Sequence, residues 1–358
     1  MPPSDVSPAA PTVTFEYGAY DFVVAPRARA RRSSQEISIG WLTSKQYTSH
    51  CVKNPSNSPV VTSDEVADAL ADGRGVVALE TTIVVHGLPN PINLEVAQEC
   101  EDAVRQSGSV PATIGMLAGR VIVGMSADEL ARLADPSRAT SKLSARDLGI
   151  ARSGARDGAT TVAGTIAVAH RSGIAVMATG GLGGVHRGAE RTFDESADLT
   201  ALSRTPVLVV ASGVKSILDV GATLERLDSL GVAVVGYRTT RFPGFYLSDS
   251  GFALDWSVDD AAGAARAFIA HRDFSPTGFL LANPVTEDRQ LDPELHRAAL
   301  ASAFATAKDS GVSGKDVTPV LLAEFARFTS GVSVQVNRDL VVANARLAGQ
   351  VAAEMSGA

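Results

Sequence analysis

The chain has 358 residues, a formal charge of −7 from 32 Lys and Arg against 39 Asp and Glu, and 45% hydrophobic residues with only 5% aromatic, so its core is built mainly from aliphatic side chains. Outside the N-terminus its cations alternate with acids, which excludes the basic stripe that a nucleic-acid polymer needs. Cys51 and Cys100 make neither a metal set nor a disulfide framework, which fits a reducing, cytoplasmic setting, and no apolar run reaches the roughly 20 residues that span a bilayer.

Residues 1–62 read as an extension outside the core: the segment is rich in Pro and Ser, carries the basic run Arg27, Arg29, Arg31, Arg32, and lacks sustained periodicity. Asp5, Glu16, Asp21 and Glu36 dilute any organelle-targeting signal, and no compact apolar signal core is present. Residues 63–358 read as one catalytic domain. Ser63-Asp64 opens a short helix that Gly73 to Gly75 closes, and the run Val76 to Leu79 then predicts a buried strand. Val96, Ala97, Cys100, Ala103 and Val104 share one helix face. Ser126-x-x-Glu129 is a capping box. Four further aliphatic runs, Ile174–Ala178, Val207–Ala211, Val232–Val235 and Phe279–Ala282, predict buried strands, and Asp292-Pro293 opens a last third that is largely helical. The expected architecture is α/β: a three-layer α/β/α sandwich around a mostly parallel or mixed sheet, with a helical C-terminal third.

Open α/β sheets bind ligands beyond the carboxyl ends of their strands. Four polar segments stand at such ends: Glu80, Thr179-Gly180-Gly181, Ser212-Gly213-Val214-Lys215 and Asn283-Pro284. Lys215, read as preceding a helix over Ser216 to Asp219, is a candidate nucleophile, because desolvation and a helix N-terminus both favour the free amine. An ordinary phosphate-binding lysine would occupy the same place. Glu80 is a candidate general acid or base whose carboxylate Thr81 and Thr82 could hold. The turn from Thr179 to Gly188, with His186 and Arg187, could cradle a phosphate on its backbone amides, or simply be tight. Asp194, Ser196 and Asp198 offer oxygen ligands to a hard cation, or cap a helix. His86-Gly87 and Lys142 to Asp147 are polar segments without an assigned use.

Taken together, these segments resemble the pseudouridine-5'-phosphate glycosidase family, also called indigoidine synthase A-like. The resemblance runs in order through Ala78-Leu-Glu-Thr-Thr-Ile-Val-Val-His-Gly87, Val110 to Ile114, Lys142 to Leu148, Gly158 to Val162, Ala178 to Glu190, Thr192 to Leu199, Gly213 to Asp219 and Gly314 to Pro319. It implies a homotrimer that uses Mn to hydrolyse pseudouridine 5'-phosphate to uracil and ribose 5-phosphate. By motif position it implies Lys215 as the nucleophile that holds the ring-opened sugar through C1', Glu80 as the proton donor and Asp194 as the metal ligand. It also implies substrate contacts from Lys142, Val162, Ser196, Ala197, Asp198 and Asn337, with His186 near the sugar phosphate. The sequence departs from the family at Glu195, expected to be apolar, and at Gln335, often lysine. Residues 1–60 have no counterpart, and no fused sugar-kinase domain follows. A changed base, a role in uracil-derived pigment formation, or sugar-phosphate binding without turnover are the alternative expectations.

Overall fold

The computed structural model describes residues 59–310 and 317–357. The strands are β1 (Val60–Thr62), β2 (Val76–Glu80), β3 (Val110–Leu117), β4 (Arg120–Val123), β5 (Ser141–Leu143), β6 (Gly158–Thr160), β7 (Val176–Ala178), β8 (Leu208–Ala211), β9 (Ala233–Tyr237), β10 (Ser257–Val258) and β11 (Phe279–Ala282). The helices are α1 (Asp64–Ala71), α2 (Ile92–Gln106), α3 (Ala127–Ala134), α4 (Leu148–Ser153), α5 (Val162–Arg171), α6 (Ala189–Thr192), α7 (Ala197–Leu202), α8 (Val220–Ser229), α9 (Ala261–Phe274), α10 (Pro293–Ser310), α11 (Val317–Phe328) and α12 (Val332–Ser356).

The strands form one sheet in the order β1-β4-β3-β2-β7-β8-β11-β9-β10, with β6 beside β3 and β5 beside β6. Pairing is parallel except where β3 meets β4 and β6. Alternation along each strand divides the aliphatic side chains between two cores. Val76, Ala78, Val209 and Leu280 pack on one face with Val66 of α1, Ile166 of α5 and Leu199 of α7. Val77, Leu79, Leu208, Val210 and Leu281 pack on the other with Val96 of α2, Phe268 of α9 and Leu340 of α12. Because both faces are covered, the central strands β2, β7, β8 and β11 are buried along their length, as their unbroken apolar runs require. The expected three-layer α/β/α arrangement is the observed one, and the described residues beyond Asp292 are largely helical as read, in α10, α11 and α12.

The boundary of the core differs from the expected one. Val60, Val61 and Thr62 form edge strand β1, paired in parallel with Val121, Ile122 and Val123 of β4, and so belong to the sheet. Their run is too short to stand out from the Pro-rich segment before it. Residues 1–58 lie outside the described residues.

Helix α12 ties the second core to the strand ends. Twelve of its 25 residues are buried, among them Asn344, which is fully enclosed. A buried amide needs partners on both sides. Asn344 donates to the carbonyl of Thr179 at 2.8 Å and accepts from the Asn283 amide at 2.9 Å, so it clamps the ends of β7 and β11.

Candidate active site

The register of β2, β7 and β8 sets the site. Leu79 pairs with Ala178 and Ala178 with Val210, so Glu80, Thr179 and the Ser212 segment leave the sheet along one edge. Asn283, after β11, is drawn away to Asn344 and lines a different cavity, so three strand ends converge rather than the expected four.

Glu80 is buried, and its carboxyl accepts from the Thr179 hydroxyl. The expected holders do other work: Thr81 donates to the Ile114 carbonyl at 2.8 Å, and Thr82 to the Ala159 carbonyl at 3.5 Å. Burial pushes the Glu80 carboxyl above its ordinary value of 4.5, against the pull of Lys215, the Thr179 hydrogen bond and Lys142, and with a push from Asp198. The group is prepared to carry a proton.

Lys215 follows a turn that only glycine allows. Gly213 has φ +79°, and a Cβ there would strike the Pro243 carbonyl. The Lys215 amide donates to the Leu182 carbonyl at 3.1 Å, and buried Val214 and Ser216 flank it, which fixes the half-buried lysine at the end of β8. The expected helix over Ser216 to Asp219 is absent: these residues turn, and α8 begins at Val220 with Asp219 as its cap. A helix dipole therefore does not act on Lys215 as expected, since that effect fades beyond the first turn.

Two compartments meet at Glu80, Thr82, Lys142 and Lys215. One, of about 520 Å³, is walled by Ile83, Phe245, Leu322, Gly180, His86 and Asn337. The other, of about 1190 Å³ and open to water, is lined by Ser144, Arg146, Thr161, His186, Asp194 and Ser196 among others. Beyond the four shared residues the first compartment adds three hydrogen-bonding side chains, His86, Thr179 and Asn337, to its apolar walls, whereas the second mixes the cations Lys142, Arg146 and Lys215 with hydroxyls and the carboxylates of Asp147, Asp194, Glu195 and Asp198.

The glycine-rich turn is shaped for packing. A Cβ on Gly181, Gly183 or Gly184 would strike Phe245, Ser196 or Thr223, respectively. Its amides are also engaged. Leu182 donates to the Gly213 carbonyl, Gly183 to Asp198 Oδ2, and Val185 to Thr223 Oγ1. Those three amides are therefore taken by the protein itself and cannot contribute to a phosphate cradle.

Asp198 is buried, with Oδ1 accepting from the Ala163 amide and Oδ2 from the Gly183 amide, each at 2.9 Å. Ser196 caps α7, and its hydroxyl accepts from the Asp198 amide at 3.2 Å. Ala197 opens α7 at the cavity edge. The Val162 side chain is buried, so this residue faces the cavity through the first turn of α5.

Capping thus accounts for Ser196, and the three-residue oxygen set does not form. Among the described residues, no three His, Cys, Asp or Glu side chains gather as a metal cage. Asp147 is held by the Ser144 amide and hydroxyl, and Glu195 pairs with Arg226 at 2.9 Å. The Asp194 carboxylate has the His186 ring at 3.9 Å and otherwise opens to the cavity. One open carboxylate beside water fits a hard divalent ion that keeps most of its hydration shell, and does not fit a protein-caged metal. Burial, together with Lys142 and Lys215, holds His186 below the usual imidazole value against the opposite pull of Asp194.

Two groups in the cleft were not assigned from sequence. His86 lies on a π-helical turn, Ile83–Gly87, a geometry common at functional sites, and the widened turn has no local sequence signature. Arg146 reaches the polar compartment from the loop before α4, inside a polar segment that sequence alone left without a use.

A family model described as indigoidine synthase A like protein matches residues 65–354. A Salinispora tropica protein named pseudouridine-5'-phosphate glycosidase is 58% identical over 290 residues, covering 80% of this chain and 89% of that one. A protein of the same name from Saccharopolyspora erythraea is 50% identical over 305 residues, covering 85% of this chain and all of that one. Among solved structures, the prealnumycin C-glycosynthase in complex with ribulose 5-phosphate is 40% identical with a TM-score of 0.77, covering 83% of this chain and 97% of that one. An indigoidine synthase A-like protein from Thermotoga maritima is 32% identical with a TM-score of 0.76, covering 83% and 96%. With the fold shared and the match running from α1 to the end of α12, the chain belongs to the indigoidine synthase A-like family.

Proposed function

We propose that this chain hydrolyses the C–C glycosidic bond of pseudouridine 5'-phosphate, giving uracil and ribose 5-phosphate. The observation that carries the reading is the placement of Glu80, Lys142 and Lys215 at the seam between a compartment with apolar walls at Ile83, Phe245 and Leu322, which suits a base, and a polar one with Arg146 and several hydroxyls, which suits a sugar phosphate. The names of the 58% and 50% identical relatives support the same reaction, and the ribulose 5-phosphate bound by the C-glycosynthase supports a sugar phosphate.

A C–C glycosidic bond has no leaving nitrogen to protonate, so direct departure of the base is slow. Lysine catalysis divides the barrier. The protonated Glu80 carboxyl gives its proton to the ribose ring oxygen as the C1'–O4' bond breaks and Lys215 Nζ bonds to C1'. Glu80, now a carboxylate, takes a proton from the Nζ ammonium; the C1'–C5 bond then breaks as the freed nitrogen lone pair forms an iminium with C1', and Glu80 delivers that proton to uracil C5, which keeps the electron pair of the broken bond. Water adds to the iminium and releases the aldehyde form of ribose 5-phosphate with the free lysine. In this scheme Lys142, Ser144, Arg146 and His186 bind the phosphate and hydroxyls, and Asn337 meets the base. Ser196, Ala197 and Asp198, with the first turn of α5 at Val162, shape the sugar wall. A divalent ion such as Mn, held by Asp194, would supply charge to order water and the sugar oxygens when bound. The same reading includes a homotrimer and a cytoplasmic site of action.

Purified protein incubated with pseudouridine 5'-phosphate and Mn is expected to release uracil, measured by chromatography. Lys215→Ala is expected to lower the rate by at least about 10³-fold, and chelation should lower it as well. No release from folded, metal-loaded protein would overturn the assignment and favour a different base, as the 40% identity to a C-glycosynthase would then indicate.

A further inference from the structure

The base compartment contains side-chain atoms with no hydrogen-bond partner among the described residues. Asn337 is buried on α12, and its Oδ1 has none among the described residues. An enclosed acceptor left open in this way is costly unless a ligand satisfies it. His86, on the π-helical turn, lines the same compartment and, with Asn337, a second cavity of about 770 Å³. Its ring nitrogens make no hydrogen bond among the described residues. It is exposed by area and lines two cavities, yet partial burial and the charge of Lys142 both disfavour its imidazolium. The ring is therefore neutral near pH 7, with one nitrogen donating and the other accepting.

A uracil joined to sugar through C5 presents two N–H donors and two carbonyl acceptors along its remaining edge. The Asn337 amide offers one acceptor and two donors, so it leaves one N–H of the base unanswered. The other lining side chains are apolar (Ile83, Phe245, Leu322), donors (Lys142, Lys215) or already committed within the protein: the Thr82 hydroxyl to the Ala159 carbonyl, and the Thr179 hydroxyl and Glu80 carboxyl to each other. We propose that His86 reads the base: its accepting nitrogen takes the second N–H, and with Asn337 it completes the hydrogen-bond complement of a uracil-type ring. This rests on the glycosidase reading above and names a specificity residue that the lysine chemistry does not require.

The test compares wild type, His86→Leu and His86→Gln on pseudouridine 5'-phosphate and on its 1-methyl and 3-methyl derivatives, each of which lacks one N–H. Wild type is expected to discriminate by about 100-fold in kcat/KM against at least one methylated substrate, because a site built for an N–H leaves its acceptor unpaired when that donor is absent. His86→Leu should lower kcat/KM for the parent by about 100-fold and reduce that discrimination below about 10-fold, whereas His86→Gln, which retains an acceptor, should recover most of both. Borohydride trapping of ribose 5-phosphate on Lys215 involves no base, and so reports in every variant whether the fold and lysine chemistry persist. If trapping is intact and His86→Leu discriminates as wild type does, or His86→Gln falls as far as His86→Leu, the proposal is overturned. If wild type traps ribose 5-phosphate but releases no uracil from the parent, the substrate assignment itself falls, and the base-reading role with it.

Discussion

Glu80 faces conflicting demands: its place at the end of a buried strand disfavours charge, whereas Lys215 and Lys142 favour it. Burial prevails, and the carboxyl is raised above 4.5. The sign for stability follows. A carboxyl whose folded value exceeds its unfolded value contributes stability in full below the unfolded value, and that contribution disappears as pH rises through the folded value. Glu80→Gln, which cannot ionise, is therefore expected to melt close to wild type near pH 4 and above it at pH 8, by about 3 °C for each kcal/mol relieved. It should also lose uracil release at every pH. Calorimetry across that range checks both the sign and the window; a Glu80→Gln protein that melts lower at pH 8 than at pH 4 relative to wild type would contradict the assigned protonation. Position after an aliphatic run made Glu80 and Lys215 legible as candidates in the sequence. What held them was not legible: Thr179, 99 residues along the chain from Glu80, supplies the hydrogen bond that neighbouring Thr81 was expected to make.

At the scale of elements, short-range rules carried furthest. The Ser126 and Glu129 capping box forms as read, and Ser63 and Asp292 cap α1 and α10. Signals that depend on two segments meeting were less readable. The glycine-rich turn looked like a phosphate cradle because glycine serves both close ligand approach and close packing, and only the position of Ser196, Asp198 and Thr223 against it decides between them. Gly183→Ala is expected to cost about 1–3 kcal/mol through overpacking against Ser196 and Asp198. It should also impair substrate binding more than an equally destabilising change elsewhere, because Asp198 pins the first turn of α5 to this turn. Urea midpoints and KM values measured together would separate the two effects. Equal loss of stability with no change in KM would show that the turn does not shape the site.

For the whole molecule, the family match begins at residue 65 and the sheet at Val60. A chain starting at Pro59 is expected to fold and release uracil as the full chain does. One starting at Asp64 loses β1, the Ser63 cap on α1 and the Ser63 amide bond to the Val123 carbonyl. It should melt several degrees lower, since the cap alone is worth about 1 kcal/mol. Activity lost with residues 1–58 would give that segment a role outside the fold argued for here. The architecture was legible because aliphatic strands buried on both faces read as continuous runs, and the failure at β1 is that of a three-residue strand too short to show a pattern.

Helix α12 supplies Asn337 to the base compartment and Asn344 to the clamp on the strand ends. The ribosome makes Glu80 and Lys215 more than a hundred residues before it makes Asn337. A nascent chain can thus hold Lys215 and Glu80, the proposed nucleophile and acid, while the wall proposed to receive the base is still unmade. The cleft is complete only near the end of synthesis, and a chain terminated prematurely before residue 332 would carry the proposed catalytic pair without Asn337 and the rest of α12.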